Sequence, residues 1–246
     1  MQIGIQLYTL RSLDEPLVDR IRRVADIGYA GVEFAGFGDA SPDQLDDVLT
    51  ETGIEAAGAH LRIDPIEEEF DGVVADYQTI RCDDLVVPTY DREAFDDSAG
   101  ASEAGLRMSS LADRLADVEM NLHYHNHTFE FTPLDDGTAF DAFAGAADGV
   151  GLEIDTGLAN HAGVDPIPLL ERYGDRINLV HLTDSEHASD AGDTKHMDLG
   201  TGDLDISACV AAAADTNADW IIFEHGLTDD PVASAEHAFE TIENLL

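Results

Sequence analysis

Apolar positions along this chain follow two alternating patterns. Short, mostly apolar runs predict eight strands: "IGIQLYT" (3–9), "GVEFAG" (31–36), "EAAGAHL" (55–61), "DLVVPT" (84–89), "NLHYHN" (121–126), "GLEIDT" (151–156), "INLVHLT" (177–183) and "DWIIFEH" (219–225). Between them lie segments with apolar residues at helical spacing, such as "DEPLVDRIRRVADIG", which closes on a glycine, and "EAGLRMSSLADRLADVEM". The last helix is "PVASAEHAFETIENLL". Eight strand–helix units in 246 residues predict an α/β fold, a single-domain (β/α)8 TIM barrel over residues 1–246. No Gly/Ser/Pro-rich linker and no tandem repeat divides the chain.

Strand parity then sorts side chains into inward and outward sets. Ile3, Ile5 and Leu7 face helices, which turns Gly4, Gln6 and Tyr8 inward. The same alternation turns inward Gly31 and Glu33 on strand 2, and Ala56, Gly58 and His60 on strand 3. It does so for His123 and His125 on strand 5, Glu153 and Asp155 on strand 6, Leu179 and His181 on strand 7, and Ile222 and Glu224 on strand 8. Polar residues from most strands therefore converge on one mouth, at the C-terminal strand ends where barrels of this kind carry their sites.

Charge changes the picture in one respect. Twelve basic residues stand against 52 acidic ones, for a net charge of −40, and Lys195 is the single lysine. The acids are spread along the chain while the apolar content is that of a folded protein, so the carboxylates read as a solvated surface suited to concentrated salt, as in a haloarchaeal cytosolic protein. Most acids thus say nothing about chemistry. Nucleic-acid partners are not expected from eleven scattered arginines and one lysine. No basic leader or apolar run of about 18 residues predicts a signal peptide or membrane span, and Cys82 and Cys209 read as reduced structural thiols; together these place the chain in the cytoplasm.

The converging residues suit a divalent metal site. Asp155, His181, Glu224 and a residue from strand 5 offer carboxylate and imidazole donors for Mn²⁺, Co²⁺, Fe²⁺ or Zn²⁺, and the lack of thiolates argues against a closed structural zinc site. Such a centre polarises a sugar carbonyl, eases removal of the adjacent C–H proton, and stabilises the enediolate. Alternation puts His123, His125 and His127 on one face of strand 5, and His125 and His127 remain rival candidates for the ligand, His127 also for a substrate contact; His123, deeper, reads as a hydrogen-bonded core histidine and Glu153 as part of a lower structural network. His60 and Glu33 are candidate substrate contacts near the mouth. The long loop "TDSEHASDAGDTKHMDLGTGDLD" carries Lys195, a candidate for binding a phosphate or enediolate oxygen, and Asp184, a candidate for orienting His181. "GTGDLD" reads as a turn and helix cap.

"GLEIDTG", "INLVHLTDSE", "DLGTGDLD" and "WIIFEHG", in that order, together with "GYAGVEFAG" and "GIEAAGAHL", resemble the sugar phosphate isomerase/epimerase family with its xylose isomerase-like TIM barrel, over nearly the whole chain. The resemblance implies metal ligands on strands 5 to 8, carried over as Asp155, His181 and Glu224, with Glu224 also the base. Where the family has glutamate on strand 5 this chain has His125, in "YHNH", a form that resembles inosose dehydratase-like members. The partner of Glu224 in proton transfer is then an imidazole or an outer carboxylate such as Glu130. His161 is a further candidate substrate contact; it lies six past Asp155, whereas the family often places a histidine at three, the position of Leu158.

The implied function is a metal-dependent isomerase or epimerase acting on a sugar or keto-sugar. A lyase that dehydrates an inosose or 3-keto sugar is the alternative within enzymes. An apurinic endonuclease-like protein and a non-catalytic sugar-binding protein are the alternatives of other classes. Barrels of this kind often pair, so a homo-oligomer is compatible with the sequence, but no residue marks its interface.

Overall fold

A computed structural model of the chain describes residues 1–187 and 196–246. Eight parallel strands close into a barrel: β1 (Gln2–Gln6), β2 (Gly31–Phe34), β3 (Glu55–His60), β4 (Asp84–Val87), β5 (Asn121–His125), β6 (Gly151–Asp155), β7 (Ile177–Leu182) and β10 (Trp220–Phe223). Each pairs with its neighbours in chain order, and β10 closes the ring on β1. Two further strands, β8 (Asp184–Ser185) and β9 (His196–Met197), form a short antiparallel ladder beyond β7. This is the (β/α)8 architecture the strand–helix alternation predicts.

Helices α1 (Leu17–Ile27), α2 (Pro42–Thr52), α3 (Ile63–Glu68), α4 (Phe70–Thr79) and α5 (Ser98–Ala116) follow the first four strands. Then come α6 (Ala139–Ala146), α7 (Thr156–His161), α8 (Pro166–Tyr173), α9 (Ile206–Ala214) and α10 (Pro231–Glu243). Side-chain caps mark several starts: Ser41 and Thr138 form capping boxes, and Asp97 and Asp205 accept first-turn N–H groups. The main apolar core lies between strands and helices, where outward residues such as Ile5, Val32, Tyr124, Ile154, Val180 and Phe223 are fully buried. At the opposite end from the mouth the barrel interior is plugged by a separate apolar layer of Ala57, Val86, Leu179, Trp220 and Ile222. Gly31 makes room for that plug, because a Cβ there would come within 2.5 Å of the Trp220 ring.

Three local departures from strict alternation follow from physical causes. Strand 1 ends at Gln6, whose side-chain oxygen accepts the Tyr8 N–H and starts a 3-10 turn over Leu7–Leu10. Tyr8, expected inward, is instead 45% exposed. A β-bulge against Val32–Glu33 shifts the β3 register, so Ala57 rather than Ala56 enters the barrel interior, while Gly58 and His60 keep their inward direction. Strand 4 stops at Val87, before Pro88, which has no N–H to continue a ladder.

Candidate metal centre

Four side chains from four barrel strands or their C-terminal ends meet at the mouth. His125 closes β5, Asp155 closes β6, His181 lies on β7 opposite Asp155, and Glu224 follows β10 directly. One donor atom from each lies within 4.8 Å of the other three. His181 Nδ1 is 3.3 Å from Glu224 Oε2, and His125 Nε2 is 3.5 Å from Asp155 Oδ2. All but Glu224 are almost wholly buried, and Glu224 keeps about an eighth of its side chain exposed, 12%. Fit to a cation can be judged from the atoms left over: His125 Nε2, Asp155 Oδ2 and His181 Nδ1 are buried without a hydrogen-bond partner. Buried polar atoms are rarely orphaned. A carboxylate–imidazole set of this kind suits a divalent cation of the first transition row.

The surroundings orient each donor. Asp155 spends Oδ1 on the N–H of Leu158 and on the Thr183 hydroxyl, which leaves Oδ2 facing the centre. Thr183 also accepts the Gly157 N–H, and a Cβ at Gly157 would lie 2.4 Å from the Thr183 hydroxyl oxygen, so "DTG" needs its glycine there. Asn126 accepts the Asp155 N–H at 3.0 Å and ties β5 to β6. His181 donates from Nε2 to Glu33 Oε2 at 2.6 Å, which fixes the tautomer that presents Nδ1 to the centre.

Below this layer a second group forms from Glu33, His60, Glu153 and His181. Here the partners are internal. Glu33 Oε2 accepts from Gln6 and His181 and lies 3.1 Å from His60 Nε2, which in turn is 2.9 Å from Glu153 Oε2. Burial alone would raise Glu33, but the facing His60 and His181 rings hold it well below the usual carboxylate range. Burial works against a charged His60, yet Glu33 and Glu153 lift it to about 10. Both groups set two carboxylates against two imidazoles, but here hydrogen bonds of 2.6–2.9 Å join the members, with Glu33 Oε1 and Glu153 Oε1 left unpartnered. In that upper group burial opposes ionised Asp155 and Glu224, and neighbouring imidazoles, His125 for Asp155 and His181 for Glu224, keep both carboxylates lowered.

The remaining candidates fall at different depths. His127 lies outside the four-donor cluster, with its ring centroid 5.3 Å from His125; burial first, and then the neighbouring His125 ring, bring its pKa down to about 4, and its Nδ1 has no hydrogen-bond partner. Glu33 and His60, expected to touch substrate, sit in the lower group, and Glu33 is fully buried beneath His181. Glu130 is held behind β5, where it accepts the Tyr124 hydroxyl at 2.7 Å and the His127 N–H at 2.9 Å. His123 pairs with Asp84 at 2.7 Å, deeper in the barrel. His161 bonds through Nδ1 to the Glu186 carbonyl and joins neither cluster. Asp184, expected to orient His181, instead accepts the N–H groups of Gly200 and Gly202 and folds the "GTGD" turn. Lys195 lies outside the described residues.

Sequence reading passed over Thr183 and His196. Thr183 is two past His181 and therefore inward by the same parity, a signal that was available. His196, on β9, adds to the positive field on Asp155, and its approach depends on a ladder no periodicity reveals.

Comparison with known proteins agrees with this architecture. The chain is 24% identical over 245 residues to the rhizopine catabolism protein MocC of Rhizobium meliloti, covering 86% of this chain and 75% of that protein. It is 28% identical over 191 residues to the inosose dehydratase of Geobacillus kaustophilus, covering 68% of this chain and 61% of that enzyme. A sugar phosphate isomerase/epimerase from Parabacteroides distasonis superposes with a TM-score of 0.80 at 16% identity, over 98% of this chain and 97% of its own. The IOLI protein, solved with a bound zinc atom, superposes with a TM-score of 0.75 at 16% identity, over 100% and 98% of the two chains. A family model matches residues 21–245, and the chain belongs to the xylose isomerase-like TIM barrel family.

Proposed function

We propose that the protein is a divalent-metal-dependent enzyme that removes the proton beside the carbonyl of a sugar or keto-sugar, isomerising or epimerising it. The observation that carries this reading is the set of three orphaned, buried donor atoms, His125 Nε2, Asp155 Oδ2 and His181 Nδ1, aimed with Glu224 at one point. A cation held there, Mn²⁺, Co²⁺, Fe²⁺ or Zn²⁺, would supply Lewis acidity at the substrate carbonyl and stabilise the charge that develops as the proton leaves. Glu224 is the base: it is the one carboxylate of the four-donor set that keeps an exposed face, and the His181 imidazole keeps it ionised against its burial. His127, neutral at pH 7 with Nδ1 unpartnered, receives or returns the proton on the β5 side of the mouth. The backbone N–H of His127 donates to Glu130 Oε2. The same reading includes a cytoplasmic setting, a small-molecule partner in place of nucleic acid, and placement in the "YHNH" subgroup.

One feature favours a second reading, loss of water from an inosose or 3-keto sugar. A two-glutamate epimerase needs a second carboxylate at strand 5, and here that place holds His125, a proposed metal ligand, so the exchange of a proton between two carboxylates lacks one partner. Relatives include a protein named inosose dehydratase. Incubating the metal-loaded protein with a keto-sugar panel in D₂O separates the two. Deuterium on the carbon beside the carbonyl supports isomerisation, and a mass loss of one water supports dehydration. Absence of both, or unchanged turnover in Glu224→Gln, contradicts the proposal.

A further inference from the structure

Arginine is scarce in this chain, and most of the eleven are committed. Arg22, Arg23, Arg81, Arg107 and Arg172 pair with carboxylates, and Arg11, Arg20 and Arg176 bond to backbone carbonyls. Arg114 covers the Phe70 ring. Arg62 and Arg92 make no ion pair and donate no hydrogen bond among the described residues, and both line a cavity of about 500 Å³ with Arg107. Three of the five charged residues around it are arginines, in a protein where acids outnumber bases more than fourfold. The other two are Asp64 and Asp91. Asp64 accepts from Arg107 at 2.6 Å, and Asp91 accepts the Glu93 N–H at 3.2 Å. Arg107 is further fixed by Glu67 and by the Tyr90 hydroxyl, so it forms a wall, and Arg62 and Arg92 are the guanidinium groups of the cavity without an ion pair among the described residues.

The cavity also lies in the right place. Arg62 is two residues past His60, which ends β3, and Arg92 belongs to the segment that follows β4, so both are on the rim that carries the metal centre. Arg92 sits over the Phe129 ring at 5.9 Å, and Phe129 stacks on His127 with ring centroids 5.9 Å apart. One aromatic ring, Phe129, therefore stands between Arg92 and the proposed proton-transfer residue His127. Guanidinium groups match the oxyanions of phosphate and carboxylate. A surface of net charge −40 would repel any anionic substrate, so a local pair of arginines without carboxylate partners is what such a substrate would need.

We infer that Arg62 and Arg92 form an oxyanion subsite on the β3–β4 side of the mouth, which binds the phosphate or carboxylate group of an acidic sugar substrate. This rests on the reading of the neighbouring centre as an enzyme site. Its test uses the full metal-loaded chain titrated with inorganic phosphate and, separately, with gluconate, at ionic strength held constant with chloride. Saturable binding is expected for at least one of them. It should weaken by about tenfold or more in the Arg62→Ala/Arg92→Ala double variant, the loss expected when charge-assisted hydrogen bonds go. Arg62→Lys/Arg92→Lys should retain part of it, and Arg114→Ala all of it. Tighter phosphate binding assigns a phosphorylated substrate, and tighter gluconate binding a sugar acid. No saturable binding of either anion, or equal affinity in the double alanine variant, overturns the subsite. Repeating the titration after chelation separates the two claims. Anion binding should persist without metal, so failure of the metal reading would leave it intact.

Discussion

At the residue scale the account rests on which oxygen or nitrogen each side chain leaves free. In the proposed centre Glu33 would act as a positioning residue: it takes the Nε2–H of His181 and leaves Nδ1 facing the other donors. Glu33→Gln should weaken divalent-metal affinity by about 10–100-fold, the usual cost of losing such an outer partner. Metal titration of folded variant and parent reads this, and unchanged affinity would remove Glu33 from the account. Glu130 makes a pH prediction. Its burial raises the carboxyl to about 7, above the 4.5 of an exposed glutamate, despite donors from Tyr124 and His127. A folded pKa above the unfolded one means stability that is complete below about pH 4.5 and is lost as pH rises through about 7. Glu130→Gln should therefore flatten the stability profile between those values, by roughly 2–3 kcal/mol at most. Denaturant unfolding at pH 5 and pH 8 measures it, and parallel profiles for parent and variant would contradict it.

Much of the candidate site's geometry was legible at this scale because barrel strands alternate. Parity alone turned His125, Asp155, His181 and Glu224 to one side, and the structure brings their donors within 4.8 Å. Depth was harder to read. Glu33 and His60 point inward as expected, but stagger between strands sets them below His181, and no single strand's pattern contains that stagger. Asp184 shows a different limit, since its partners are the backbone N–H groups of a turn sixteen and eighteen residues on.

At the element scale, the eight strands and the main helices follow from apolar spacing, and the departures occur where a side chain or a proline competes with the ladder. Gln6 ends β1 and Pro88 ends β4. The bulge in β3 leaves no signature in "EAAGAHL", because Ala56 and Ala57 are equally small and either fits inside. The barrel's closed end depends on Trp220 against Gly31. Trp220→Ala should cost about 3–5 kcal/mol by opening a cavity between strands. Gly31→Val forces the opposite fault, a side chain into the indole, and should cost about 1–3 kcal/mol or more. Chemical denaturation of both variants tests this, and two near-neutral results would mean the plug is not tightly packed.

At the scale of the whole molecule, net charge −40 spread over a barrel makes self-repulsion the dominant long-range term. Salt near 1 M shortens the screening length to about 3 Å, so the thermal midpoint should climb steeply between 0.1 M and several molar KCl. A midpoint independent of salt would contradict the reading of the acidic surface. Among the described residues no helix is long and apolar enough to cross a membrane, which agrees with the absence of an apolar run in the sequence.

The central claim is that His125, Asp155, His181 and Glu224 hold one cation. Mn²⁺ titration of the chelated protein, followed by electron paramagnetic resonance, tests it most directly. One tight site per chain is predicted in the parent, lost in Asp155→Ala and in Glu224→Ala while both variants remain folded. Mn²⁺ binding of the same affinity in parent and both variants would contradict it.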